Sequence, residues 1–142
     1  MVNKLTIKDL MDKPVFIHCD TKLSEIKNKI IGNEDSLIVV DDKKNFLGEI
    51  HERDLLKLII PQNSIDSEEI GGVFGVNIDY SFSANTAKDL MNKHEITIGL
   101  KFKVEDVAVL FYKEDIVSIP VISKKIIIGV IHLNKLIRKM LN

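Results

Sequence analysis

The chain repeats itself. "TIKDLM" at residues 6–11 returns as "TAKDLM" at 86–91, and "FLGEIHERDLLKLII" at 46–60 is echoed by "IIGVIHLNKLIRKML" at 127–141. An internal repeat constrains the fold more than any local propensity does. Two similar units must form the same supersecondary structure, and each needs a neighbour against which to bury its apolar face. Within the longer echo Gly48 matches Gly129, His51 matches His132 and Leu55 matches Leu136, but Asp54 is answered by Lys135. One scaffold is written twice, with the charge inverted at one position.

Each copy reads as helix, strand, helix, strand, strand, helix. Thr6 and Thr86 suit the N-cap of a short helix, with Asp9 and Asp89 at the third helical position, near the positive helix end. Short extended runs follow, "PVFIHC" and "EITIGL". In the next helix of the first copy Leu23, Ile26 and Ile30 share a face and Gly32 stops it; Val104, Val107, Ala108 and Phe111 are the expected inward face in the second. "SLIVVDDKKNFLGEIH" and "SIPVISKKIIIGVIH" are pairs of β-branched strands around polar turns. Helices then close each copy after His51 and His132. In the last, Leu136, Ile137 and Met140 are expected inward and Lys135, Arg138 and Lys139 toward solvent.

The expected fold is therefore α+β, with a first repeat at 1–60, a linker at 61–85 and a second repeat at 86–142. Repeats of about 55 residues bury little surface alone, so the two are expected to pack sheet to sheet about a pseudo-twofold axis. The linker carries no Lys or Arg, four acids and three glycines. It reads as a crossover spacer or, given Phe74, Tyr80 and Phe82, as a lid or partner-binding loop.

The bulk numbers exclude several classes of function. A net charge of −1 gives no general attraction to nucleic acid or anionic membrane, so any anion must be held by a local site. Cys19 is the single cysteine, which rules out an intramolecular disulfide and fits a reducing cytosol. "MVNKLTIKDLMDKP" lacks the apolar core of a signal peptide, and no apolar run approaches the roughly 20 residues that span a bilayer. A cytoplasmic protein is expected, with no nucleic-acid or membrane partner.

Catalytic chemistry is also missing. "HCD" at residues 18–20 places a thiol beside an imidazole, but neighbours in a strand face opposite sides, so His18 and Cys19 are not expected to meet. His18, His51, His94 and His132 show no metal-ligand spacing, and His94 is expected at the surface among polar neighbours. There is no Walker loop and no dinucleotide GxGxxG. Neither an enzyme nor a metal site is expected.

The "KDLM" before each copy, the "SIPVI" of the second hairpin and the glycine–hydrophobic approach to each closing helix together resemble a tandem pair of CBS domains, a Bateman module. The resemblance covers nearly the whole chain. It implies paired αβ units that often form a homodimer, with adenosine ligands (AMP, ADP, ATP or S-adenosylmethionine) held in clefts between the copies. In this family a glycine, any residue, a hydrophobic residue, Thr or Ser, two residues, then Asp or Asn lead into the last helix.

That spacing has a physical basis. The first turn of a helix has unsatisfied N–H groups that suit a phosphate, and a carboxylate at its third position can accept from both hydroxyls of a ribose. By the resemblance, Asp54 is the ribose ligand, Arg53 reaches a phosphate, and Val15, Phe16 and Ile38 line the base pocket. His51 replaces the usual Thr or Ser, so a hydroxyl is lost, although an imidazole N–H could substitute. The alternative for Asp54 is stabilisation of its own helix end, worth about 0.3–1 kcal/mol. In the second copy Thr97, Pro120 and His132 occupy the corresponding positions, but Lys135 cannot accept from ribose hydroxyls. That cleft is either degenerate or an anion site. The expected function is a non-catalytic regulatory module that needs no cofactor. It binds an adenosine ligand and signals to an unknown regulated protein; the alternative is a structural dimerisation module with empty clefts.

Overall fold

The computed structural model describes residues 4–32, 35–60 and 85–142. The expected reading of residues 61–84, with Phe74, Tyr80 and Phe82, lies outside these residues. The elements run α1 (Ile7–Leu10), β1 (Phe16–His18), α2 (Leu23–Ile31), β2 (Leu37–Val40), β3 (Phe46–Ile50) and a 3-10 helix (Glu52–Leu58). After residue 85 come α3 (Ala87–Leu90), β4 (Ile98–Gly99), α4 (Val104–Glu114), β5 (Ser118–Ser123), β6 (Ile126–His132) and α5 (Leu133–Leu141). This is the expected α+β order in both copies. The expected closing α-helix of the first copy is a 3-10 helix instead. With three residues per turn, Leu55 and Leu58 fall in line and both pack on the core, while Leu56 stays exposed.

Each copy forms a three-stranded sheet, β1-β2-β3 and β4-β5-β6, with the first pair parallel and the second antiparallel. The likeness extends to a bulge in each middle strand, between Val39 and Val40 and between Val121 and Ile122. Local chemistry accounts for the ends of the elements. The Thr6 N–H donates to Asp9 Oδ2 at 2.8 Å, and the Thr86 N–H donates to Asp89 Oδ2 at 3.2 Å, so both leading helices carry the expected capping box. The Gly32 N–H bonds back to the Asn28 carbonyl and ends α2.

The compact units are offset from the sequence repeats. One unit comprises residues 15–95, the other residues 1–14 with 96–142. Each leading helix therefore packs on the sheet of the other repeat. Ala87 and Leu90 of α3 join Ile17, Ile26, Ile30, Leu37, Val39 and Ile50 in one core. Ile7 and Leu10 of α1 join Ile98, Val104, Val107, Phe111, Ile119, Val121, Ile131 and Leu136 in the other. Isoleucine, leucine and valine dominate both, each contributing about 1.5–3 kcal/mol when fully buried.

The matched glycines mark where the leading segments cross the sheets. Asn92, just after α3, exchanges two backbone hydrogen bonds with Glu49 of β3, at 2.8 and 3.0 Å. Asp12, just after α1, does the same with Val130 of β6, also at 2.8 and 3.0 Å. A Cβ on Gly48 would lie 2.5 Å from the Asn92 carbonyl oxygen, and one on Gly129 would lie 2.5 Å from Met11 Sδ. At Gly48 the facing atom is backbone and only glycine admits the approach, whereas at Gly129 the facing atoms belong to a side chain.

The faces of the helices depart from expectation at three apolar residues. Ala108 is exposed, and Ile137 and Met140 are about half exposed, although all three were expected inward. Amphipathic spacing identifies an apolar face; it does not say that the unit itself covers that face.

Substituting the two glycines tests the crossing geometry. Gly48→Ala is expected to destabilise the protein by about 1–3 kcal/mol in denaturant unfolding. Gly129→Ala should cost less, because the thioether of Met11 can turn aside and the backbone carbonyl of Asn92 cannot. Equal losses, or a larger loss at Gly129, would contradict this account.

Candidate functional site

In the 15–95 unit the sheet brings most of the expected nucleotide residues to one end. Phe16 and Ile38 are register partners in the parallel β1–β2 pair, and the Ile38 N–H donates to the Val15 carbonyl at 2.8 Å. Strand β3 runs antiparallel, so Ile50 lies opposite Leu37 and the chain leaves the sheet at His51 beside the same end. Ile38 is fully buried and Phe16 is half exposed. Ile38 lies on the face opposite the Leu37 and Val39 core, as strand alternation requires.

Asp54 occupies the third position of the 3-10 helix and is buried, with 7% of its surface exposed. Its Oδ2 accepts from the His51 backbone N–H at 2.8 Å, which makes it the cap of its own helix end. Its Oδ1 lies 3.7 Å from Lys57 Nζ, and Lys57 also donates to the Leu90 carbonyl at 2.9 Å. The His51 ring is 3.9 Å from the Asp54 carboxylate, and Arg53 is exposed to solvent. The expected two-oxygen clamp on a ribose thus has one oxygen already engaged in capping. The other faces a cation, and a carboxylate retains further acceptor positions.

In the other unit the sign change has a structural counterpart. Lys135 Nζ donates to Asp12 Oδ1, and His132 Nδ1 lies 3.1 Å from Asp12 Oδ2. Lys135 was expected to point to solvent; it is half-buried in this ion pair. Pro120 is buried on β5 opposite Val130, and Thr97 lies immediately before β4, so these two also gather at the end of the sheet that leads into α5. The repeat aligns Asp12 with Asn92, so a carboxylate faces the lysine where the other copy has a neutral amide.

Two contacts run against the sequence reading. His94, expected at the surface, has only 13% of its side chain exposed and lies 2.6 Å from Oε2 of the fully buried Glu49. Its ring also meets Phe46 edge-on at 5.5 Å. Glu49 gave no such signal, because an acid in an alternating strand reads as solvent-facing; the crossing of Asn92 carries His94 over it. The expected separation of His18 and Cys19 fails as well. Strand β1 ends at His18, the chain turns, and Cys19 Sγ comes to 3.9 Å from His18 Nδ1. A nucleophile–base distance is about 2.6–3.2 Å, and this one is longer.

Burial pushes the Asp12 carboxyl upward. The hydrogen bonds and charges of Lys135 and His132 outweigh burial and hold it below the ordinary value of 3.8. A carboxylate depressed in the folded state contributes stability that is complete above its unfolded value and lost as pH falls through the folded one. Asp12→Asn should therefore flatten the fall in unfolding free energy below about pH 4, measured by denaturant titration at several pH values. Asp9, Asp41 and Asp89, held low mainly by backbone hydrogen bonds, leave a residual acid slope. An unchanged slope in Asp12→Asn would contradict the assignment.

The CBS domain family model matches the chain twice, at residues 7–61 and 87–142. No curated protein matches it significantly. Among solved structures, CBSX2 in complex with AMP is similar with a TM-score of 0.74 at 20% identity, over 96% of both chains. A CBS domain-containing protein of unknown function from Kribbella flavida gives 0.71 at 16% identity, over 97% of this chain and 99% of that one. The CBS domain pair of MJ0100, in complex with 5-methylthioadenosine and S-adenosyl-L-methionine, gives 0.70 at 19% identity, over 96% and 99%. Two matched repeats, each with its leading helices and three-stranded sheet, lead to one conclusion: the chain belongs to the CBS domain family, as a tandem pair.

Proposed function

We propose that this CBS pair is a non-catalytic regulatory module that binds an adenosine-containing ligand and passes its occupancy to a partner protein in the cytoplasm. The reading is supported by the fold-level likeness, end to end, to CBS pairs solved with AMP and with S-adenosyl-L-methionine. The observation that carries it to named residues is the sheet end where Val15, Phe16, Ile38, His51 and Asp54 gather behind an exposed Arg53. There the apolar residues take the base, Asp54 accepts from a ribose hydroxyl, and Arg53 meets phosphate. The corner with Thr97, Pro120, His132 and Lys135 is the weaker of the two, because its lysine is committed to Asp12. No cofactor is required for this role. No helix among the described residues is long and apolar enough to cross a membrane.

The test is a thermal-shift series with AMP, ADP, ATP and S-adenosylmethionine, followed by calorimetric titration. A ligand at 100 times its dissociation constant should add about 2.7 kcal/mol of stability. Asp54→Asn keeps an oxygen for the cap and removes the charge, and is expected to weaken binding about tenfold or more; a hydrogen bond to a charged group contributes about 1.5–3 kcal/mol. Lys135→Ala should leave affinity nearly unchanged. Equal effects would overturn the site assignment.

The half-exposed apolar residues favour self-association alongside ligand binding. A groove of about 590 Å³ between α4 and α5 is lined by Phe111, Leu136, Ile137, Met140 and Leu141, with Tyr112 almost wholly exposed beside it. A homodimer that covers this groove is expected, and Ile137→Glu should shift it toward monomer in sedimentation equilibrium. A wild-type monomer at high concentration would contradict that. A dimer that ignores every adenosine ligand would select the structural reading of the module.

A further inference from the structure

A second constellation lies at the other end of the β1-β2-β3 sheet from Asp54, on the turn after β1. Cys19 Sγ is 3.9 Å from His18 Nδ1 and 4.0 Å from Nε2, and Asp20 Oδ2 is 3.7 Å from Nδ1. One potential ligand atom from each of His18, Cys19 and Asp20 lies within 4.8 Å of the others. From the β2–β3 turn, Asp42 Oδ1 reaches His18 Nε2 at 2.6 Å. We propose that His18, Cys19 and Asp20 bind a borderline-soft divalent cation of the zinc type, with Asp42 fixing the imidazole from behind.

The donor set is the first argument. Thiolate, imidazole and carboxylate are the three side-chain donors zinc uses, and three of them leave a fourth position open to water. Zinc bond lengths in a tetrahedral site separate such donors by about 3.4–3.6 Å. The two distances to His18 are 3.7 and 3.9 Å and the whole set spans up to 4.8 Å, so the imidazole and the exposed Asp20 side chain both turn inward to close on the ion.

The imidazole is the second argument. A carboxylate at Nε2 assigns the proton to that nitrogen and leaves the Nδ1 lone pair as the metal-binding position, the arrangement by which an outer carboxylate orients a metal-bound histidine. Cys19 Sγ lies about equally far from both ring nitrogens, so the imidazole turns to bring Nδ1 toward it. The Asp20 backbone N–H donates to Nδ1 at 3.0 Å, which agrees with that tautomer; the cation replaces this hydrogen bond and releases the N–H to water. Binding also releases the Cys19 thiol proton to solvent.

The scaffold is the third. The Cys19 N–H donates to the Val40 carbonyl and its own carbonyl accepts from the Lys88 N–H, both at 2.9 Å. The Thr21 N–H closes the turn onto the His18 carbonyl at 3.0 Å. Asp42 sits beside an Asp41 carboxylate that accepts from the Lys43 and Asn45 N–H groups, which fixes the second turn. Ligands carried on backbone held from both sides are positioned before the ion arrives.

Co²⁺ titration of the reduced protein, read by absorbance, tests the site. One Co²⁺ per chain is expected, with a sulfur-to-metal charge-transfer band that Zn²⁺ displaces. Cys19→Ser should abolish the band, and His18→Ala and Asp20→Asn should each weaken binding tenfold or more. Asp42→Asn should keep the band and weaken binding about 10- to 100-fold. Circular dichroism checks each fold, and Asp20→Asn, at a side chain 78% exposed, keeps the test decisive if His18→Ala misfolds. An absent band at saturating Co²⁺, unchanged affinity in Asp20→Asn, or one ion bridging two chains would overturn the proposal.

Discussion

Two short backbone bridges, each laid over a glycine, hold the architecture together. Asp12 pairs with Val130 and Asn92 with Glu49, two hydrogen bonds apiece, and Gly129 and Gly48 leave the room for them. Each hydrogen bond contributes only about 0.5–1.5 kcal/mol net. Their larger effect is topological. They fix the segment after each leading helix onto the sheet of the other repeat, so that Ile7 and Leu10 complete one core and Ala87 and Leu90 the other. Neither compact unit can be assembled from one contiguous repeat. A change that loosens one crossing removes a helix from a core about 80 residues away in sequence.

The inverted charge follows from the same crossings. The second residue past each leading helix is bridged to the strand that leads into a closing helix. Where that residue is Asp12, the helix presents Lys135 and gains an ion pair; where it is Asn92, the helix has Asp54, which turns inward to cap its own first turn. The closing helix is tied to the leading one in both units. Lys139 donates to the Asp9 carbonyl in one, and Lys57 donates to the Leu90 carbonyl in the other. The charge at position 54 or 135 thus faces an opposite charge within each unit, Lys57 in one and Asp12 in the other.

Local signals were legible in the sequence because their partners are a few residues away. The Thr6–Asp9 and Thr86–Asp89 boxes, the stop at Gly32, the hairpins and the repeat itself all belong to this kind. Long-range partners were not. Nothing in the pattern says that α3 belongs to the core of the first repeat, and without that crossing His94 cannot be placed on Glu49. The meeting of His18 and Cys19 depended on where β1 ends, one residue earlier than the apolar run suggests. Ile137 and Met140 show the limit of amphipathicity, which defines a face without naming what lies against it.

At Asp54, capping and the proposed ligand contact are compatible because they draw on different acceptor positions of one carboxylate. The His51 N–H occupies one position of Oδ2, and the remaining lone pairs can take hydroxyl hydrogens. A 3-10 helix has poorer hydrogen-bond geometry than an α-helix, so it relies on its cap and on the packing of Leu55 and Leu58. A ligand that engages Asp54 therefore acts on the residue that sets where this helix begins. Through Lys57 it also acts on the end of α3, whose Leu90 carbonyl accepts from that lysine. For the proposed sensor role this coupling matters more than contact energy, because a ligand shifts a conformational equilibrium only by its differential affinity for two arrangements. A buried carboxylate shared between ligand and cap is a direct way to make those affinities differ.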